Sequence, residues 1–178
     1  PSQRSIVAGL PRVEGIPNGL GDVQALNFNG GPQGVSRVGY TFACLVCNDA
    51  GQAAPDPSAP RSIIMTYSQL QLLLAEARER GLITTGDAAI YYDNGIKSNF
   101  DYWRSVVPAS YGINVTAAPT YFTQSAVAYT GTQAVKLDKI YLQLWIANFF
   151  TGFEGWFEWR RTGSPAIIPG ANNLNNNL

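Results

Sequence analysis

Residues 66–103 read TYSQLQLLLAEARERGLITTGDAAIYYDNGIKSNFDYW, and their pattern decides the fold. Thr66 stands three residues before Gln69, the spacing of a capping box, in which an N-cap hydroxyl takes a backbone N–H from the first turn. LQLLLAEARER follows, built almost wholly of strong helix formers, and Gly81 sits where a helix stops. Thr84-Thr85-Gly86-Asp87 opens a second helix, about 86–105, on which Ala89, Tyr92, Ile96, Phe100 and Trp103 recur at three-to-four spacing as one apolar stripe. Two amphipathic helices joined by so short a turn pack antiparallel. The small-residue and tyrosine pattern is that of one tetratricopeptide-type unit. Such a unit cannot bury its face alone, and the sequence carries no second copy, so its stacking partners are expected elsewhere.

Working outward, the chain falls into unlike parts. Residues 1–62 hold GLPRVEGIPNGLGD, NGGPQGVSRVG and AAPDPSAP; one strand, about 35–47, is expected there and no helix. So long a stretch with so little regular structure needs a scaffold to lie on. Residues 63–165 read as helical. After the pair comes a loop from Pro108 to Pro119, then a short helix over 120–129. A long helix over 132–150 carries Val135, Ile140, Leu144 and Phe150 among its apolar positions, and a last one spans about 153–162. Residues 166–178 are an irregular, Asn-rich tail. The expected fold class is mostly α: a tetratricopeptide-like helix pair plus further helices, with long irregular loops and few short strands.

Composition removes whole classes of function. The 178 residues hold 12 Lys+Arg against 12 Asp+Glu, a formal net charge of zero, and no basic stripe, so a phosphate-tracking nucleic-acid binder is excluded. There is no histidine, which removes imidazole acid–base chemistry, His-ligated zinc and the Ser-His-Asp arrangement. The two cysteines, Cys44 and Cys47, fall on the expected strand at a spacing that points them to opposite faces, so they read as small buried hydrophobes and not as a metal or redox pair. No cofactor is expected. No segment reaches the ~20 apolar residues of a membrane helix, and the first residues show no secretory pattern. Asn114-Val115-Thr116 matches a glycosylation sequon, to which the lack of that pattern gives little weight.

Residues 149–165, FFTGFEGWFEWRRTGSP, are the sharpest local puzzle. Glu154 and Glu158 lie four apart on a helix, and two carboxylates invite a glycosidase reading. Adjacent turns of one helix, however, aim both groups the same way and leave no room for a sugar between them. Phe150, Phe153, Trp156, Phe157 and Trp159 cover nearly the whole circumference, and a helix apolar all round is buried. Buried Glu154, Glu158, Arg160 and Arg161 are therefore expected in structural ion pairs. On this reading Glu158→Gln destabilises the protein by stranding a buried arginine. A sugar-stacking platform fits poorly, because so many exposed rings would make a sticky patch.

MTYSQLQLLLAEARERGLITTGDAAIYYDNGIKSNFDYW and IYLQLWIANFFTGFEGWFEWRRTGSP, with GIPNGL ahead of the expected strand and PGANNLNNN at the close, resemble in order the corresponding stretches of the SusD/RagB family, in particular the SusD-like lipoproteins of Bacteroidota. The resemblance covers roughly residues 10–177, and the second motif is the more specific. Family members are much longer and carry several tetratricopeptide-like units, so the chain resembles the C-terminal portion of a single larger SusD-like domain.

What the resemblance implies is a non-enzymatic nutrient-binding protein at the cell surface. It would be held at the outer membrane by a lipidated N-terminal cysteine not present in this chain. It would sit as a lid on a SusC-like TonB-dependent barrel, beside other surface lipoproteins. The implied ligand is an oligosaccharide or, in some members, a peptide. The family fixes no binding motif that can be carried over by position. The candidate ligand contacts Asn27, Phe28, Tyr40 and Tyr111 come from local reading alone: aromatics and an amide in or near Gly- and Asn-rich loops, where an amide offers both donor and acceptor to a sugar hydroxyl. The competing readings are a carboxylate glycosidase and a tetratricopeptide-type scaffold without a small ligand.

Overall fold

The structure, a computed structural model, describes residues 6–7, 10–11, 20–31, 63–106 and 115–167. The expected strand at 35–47, both cysteines, Tyr40, Tyr111 and Asn114 lie outside them. The chain forms two compact units, Pro1–Gly39 with Ile167–Leu178, and Tyr40–Ala166.

In the first unit, β1 (Ile6–Val7) pairs antiparallel with β2 (Leu10–Pro11), Ile6 opposite Pro11. Helix α1 (Asp22–Asn27) runs into a 3-10 turn, Phe28–Gly30. This is a helix where the sequence suggested none. It begins at Gly21, whose N–H is taken by the Gln24 side chain at 3.2 Å, and it buries no side chain.

The second unit is built from α2 (Tyr67–Glu79), α3 (Ala88–Val106), α4 (Pro119–Phe122), α5 (Gln133–Ala147) and α6 (Glu154–Thr162). The described residues are thus mostly helical. Thr66 caps α2 by accepting the Gln69 N–H at 3.0 Å. Asp87 caps α3, accepting from Ala89 N–H at 2.7 Å. Helices α2 and α3 make the most extensive pairing, with α5 laid across both and α6 against α5. The close approach of the pair is set by Gly95: a Cβ there would stand 2.6 Å from Leu72 Cγ, and the Gly95 carbonyl accepts the Ser68 hydroxyl at 2.7 Å. Leu72, Ala75, Tyr92, Ile96, Val127, Ile140, Tyr141, Leu144 and Ala147 form the core. Tyr92, fully buried, donates its hydroxyl to the Val127 carbonyl at 2.8 Å.

Three expectations are corrected. The short helix at 120–129 is only Pro119–Phe122; turns held by Val127 N–H to Gln124 O replace it and swing Val127 under the core. Helix α5 stops at Ala147, not 150, because Asn148 caps it and Phe150 takes the left-handed region, φ 65°. Its buried face is Ile140, Tyr141, Leu144 and Ala147, which leaves Val135 and Phe150 exposed. Most importantly, α6 is not a buried helix. It buries no residue, and Phe153, Trp156 and Phe157 are exposed. The reason is geometric: α6 turns Glu158 and Arg161 toward Glu76 of the bundle and sets Gly155 near Asn148 and Trp145, which leaves Phe153, Trp156 and Phe157 in solvent.

Candidate functional site

The charged residues of α6 converge with α2 and α5 on one carboxylate. Glu76, on α2, is nearly buried. Its Oε1 accepts from Arg161 Nη1 at 2.7 Å, Arg80 Nε at 2.8 Å and the Tyr141 hydroxyl at 3.3 Å, and its Oε2 accepts from Arg161 Nη2 at 2.6 Å. Arg161 Nη2 also donates to Glu158 Oε2 at 2.7 Å, and Arg80 donates to the Tyr141 hydroxyl. Burial pushes the Glu76 carboxyl up, but hydrogen bonds and charge from Arg161 and Arg80 outweigh it and hold the group below the usual carboxylate range. A carboxylate so filled with cationic donors is a poor base and a poor nucleophile; its place is that of a clasp between helices.

The other charged positions of α6 behave differently. Glu154 Oε2 accepts from the Gln69 amide at 3.5 Å. The Arg160 guanidinium lies 6.0 Å from the Trp156 ring centroid, and Trp156 stacks on Trp159 at 5.1 Å. Among the described residues neither Glu154 nor Arg160 enters an ion pair. Glu76, the acceptor on which Arg161 closes, was missed in the sequence because AEARER reads as an ordinary solvated helix face; only its burial against α5 and α6 distinguishes it.

A concave site lies elsewhere in the same unit, where α3 faces α5. A groove of about 340 Å³ is within the size range of small-ligand sites. From α3 come Ile96, Asn99, Phe100 and Trp103; from α5 and the turn after it come Gln143, Trp145, Ile146 and Phe149; Val115 and Tyr121 complete it. The rings pack against one another, Phe100 edge-on to Tyr121 at 5.2 Å and Trp103 at 6.3 Å from Phe149. Phe149 in turn meets Phe150 at 4.3 Å. The left-handed backbone of Phe150 costs of order 1–2 kcal/mol for a side-chain-bearing residue, the kind of local strain that gathers at ligand sites.

None of the described residues lining the groove is charged. Its polar groups are amides and a phenol. Gln143, only 3% exposed, has both amide atoms next to the Tyr121 hydroxyl, at 3.2 and 3.3 Å. Tyr121 thus partners both the oxygen and the nitrogen of this buried amide. Phe100 and Trp103 belong to the apolar stripe of α3, and that spacing alone cannot tell a groove wall from a core.

Of the loop-based candidates, Asn27 and Phe28 are described. Asn27 is exposed at the end of α1 and donates its side-chain amide to the Val23 carbonyl at 2.8 Å, which leaves its oxygen outward-capable. Phe28 is half-buried, and Asn29, Gly30 and Gly31 follow with φ of 50°, 82° and 89°, a tight left-handed turn that Asn and Gly tolerate.

No group of three or more Cys, Asp or Glu residues able to hold a metal ion occurs among the described residues, and no described helix is long and apolar enough to cross a membrane. A comparison with curated proteins gives no match. Two solved structures are similar to the chain. One is a SusD-like protein of Bacteroidetes AC2a, 28% identical, with a TM-score of 0.56 over 64% of this chain and 22% of that one. The other is a SusD homologue from Bacteroides fragilis NCTC 9343, 26% identical, with a TM-score of 0.51 over 71% of this chain and 28% of that one. The chain thus spans about a quarter of the length of the structures it matches. The family model for SusD-like proteins, described as starch-binding associating with outer membrane, matches residues 11–178, and the chain belongs to that family.

Proposed function

We propose that this chain is part of a non-catalytic nutrient-binding protein of the outer membrane surface, which captures an oligosaccharide and delivers it to a SusC-like TonB-dependent barrel as the barrel's lid. The observation that carries this reading is the family match over residues 11–178. The uncharged aromatic groove between α3 and α5 supports it, since sugars are recognised by ring faces with a few polar neighbours. Asn27, Phe28, Tyr40 and Tyr111 are proposed as further, loop-borne ligand contacts. In this reading the anchor is a lipidated cysteine outside the chain, and other surface lipoproteins are neighbours.

The carboxylates argue for binding without turnover. Glu158 is tied to Arg161, Glu76 is filled by guanidinium donors, and Glu154 shares one helix with Glu158, so these three do not form the pair across a cleft that glycoside hydrolysis requires. The test is calorimetric titration of the protein with starch-derived and other oligosaccharides, with chromatography of the recovered sugar. Saturable binding with the sugar returned intact is expected. Shortened sugar products would overturn the non-catalytic reading, and saturable binding of peptides alone would replace the glycan with the peptide ligand known in some members of the family.

A further inference from the structure

We infer that Asn29 is a site of spontaneous deamidation, at which the Gly30 backbone nitrogen closes on the Asn29 side chain and leaves an aspartyl or isoaspartyl residue in the turn after α1. Asn is among the thermolabile residues, and it is most reactive before glycine, which has no Cβ to obstruct attack by its own nitrogen. Asn precedes Gly at 18–19, 29–30 and 94–95. The first pair lies outside the described residues, and the structure separates the other two. Asn29 and Gly30 are exposed, in the 3-10 turn Phe28–Gly30. A Cβ built on Gly30 would meet nothing within 4 Å, so the space beside the attacking nitrogen is open to water and base. Asn29 sits in the left-handed region, φ 50° and ψ 37°, a strained setting for a residue with a side chain. Rotation of its ψ toward the ring-closing geometry gives up that strain. Neither the turn nor α1 buries a side chain, so local opening there costs little.

Asn94-Gly95 has the opposite surroundings. It lies inside α3, where each N–H is bonded to the carbonyl one turn back and the helical ψ holds the side-chain carbonyl away from the next nitrogen. Gly95 is buried: a Cβ on it would stand 2.6 Å from Leu72 Cγ, and its carbonyl accepts the Ser68 hydroxyl at 2.7 Å. The same dipeptide is reactive in one place and shielded in the other. In the reaction the Gly30 nitrogen gives its proton to hydroxide and bonds to Asn29 Cγ; the Cγ–Nδ2 bond breaks and Nδ2 leaves as ammonia. The succinimide ring that remains takes up one water at either carbonyl. One opening gives an aspartate; the other routes the main chain through the side-chain carboxyl, adding a methylene, and gives an isoaspartate. Nothing is oxidised or reduced. Either product puts a new negative charge on a chain of formal net charge zero, beside Asn27 and Phe28.

The experiment is prolonged incubation of the 178-residue chain at mildly alkaline pH, in buffer and in concentrated urea, in water enriched in heavy oxygen. Peptide mapping with electron-transfer fragmentation follows each Asn-Gly pair and tells isoaspartate from aspartate. In buffer, Asn29 is expected to convert at least about tenfold faster than Asn94, with one heavy oxygen gained. In urea the two should convert at similar rates, because the dipeptide is the same and the packing that shields Gly95 is gone. Gly30→Ala, whose methyl shields the nitrogen, should slow conversion of Asn29 at least about tenfold in buffer and in urea alike, so the result does not depend on the shape of the variant's turn. An Asn29 that stays intact in buffer, or converts there no faster than Asn94, would overturn the site. An Asn94 that remains slow in urea would overturn the fold as the cause of the difference.

Discussion

Arg161, on α6, closes both terminal nitrogens on the two carboxylate oxygens of Glu76, on α2, at 2.7 and 2.6 Å, across 85 residues of sequence. The contact is bidentate and charge-assisted, the strongest form an arginine offers. The Glu76 side chain is 7% exposed while that of Arg161 is 42% exposed, so one partner is buried and the other half in water. The helix whose aromatic circumference suggested burial is held to the bundle by its charges instead.

Glu76→Gln should therefore cost about 1–3 kcal/mol, less than a fully buried pair because water screens Arg161. Glu158→Gln should cost under about 1 kcal/mol, since Arg161 keeps its bidentate partner. Urea denaturation of the two variants checks this; a larger loss in Glu158→Gln than in Glu76→Gln would refute the order. The sequence pairs Glu158 with a neighbouring arginine; the structure holds that ion pair with Arg161 and adds Glu76 as the second, bidentate partner.

Acid should unfold the protein partly through the same residue. The folded Glu76 carboxyl sits below its ordinary value of 4.5. As pH falls through 4.5 the unfolded chain takes up its proton first, so each further step down favours the unfolded state until the folded carboxyl protonates as well. Melting temperatures of wild type should fall more steeply below that point than those of Glu76→Gln, and parallel curves would remove Glu76 from the acid response.

At the alkaline end the sign reverses. Burial, with lesser contributions from neighbouring charge, pushes the Tyr92 phenol above its ordinary value of 10.0, and burial followed by the Glu79 hydrogen bond does the same to Tyr129. Above 10.0 the unfolded tyrosines lose protons that the folded ones keep, so stability falls. Tyr92→Phe should lose about 1–2 kcal/mol at neutral pH, where its bond to Val127 O is missing, and a shallower alkaline decline should accompany it in pH-dependent melts.

Gly95→Ala probes the helix pair. Its added methyl would stand 2.6 Å from Leu72 Cγ and 2.8 Å from Leu72 Cδ2, forcing α2 and α3 apart at a cost of about 1–3 kcal/mol. Loss of cooperativity or of helical signal on heating would show it. A variant as stable as wild type would mean that the pair yields easily.

Local chemistry made the helices legible. The Thr66 hydroxyl captures the Gln69 N–H, Asp87 caps α3, and Tyr92 and Ile96 fall on the buried side of a stripe that spacing alone drew. These depend on residues within about one turn of each other, so the sequence by itself determined them, together with the exclusion of imidazole and basic-stripe chemistry. The tertiary structure decided the rest. Whether Trp103 is core or groove wall, whether Phe157 is covered, and which carboxylate Arg161 grips all depend on what lies across from each residue, at separations of 46 positions for Trp103 and Phe149 and 85 for Arg161 and Glu76. An amphipathic pattern records that a face is apolar and does not record what meets it.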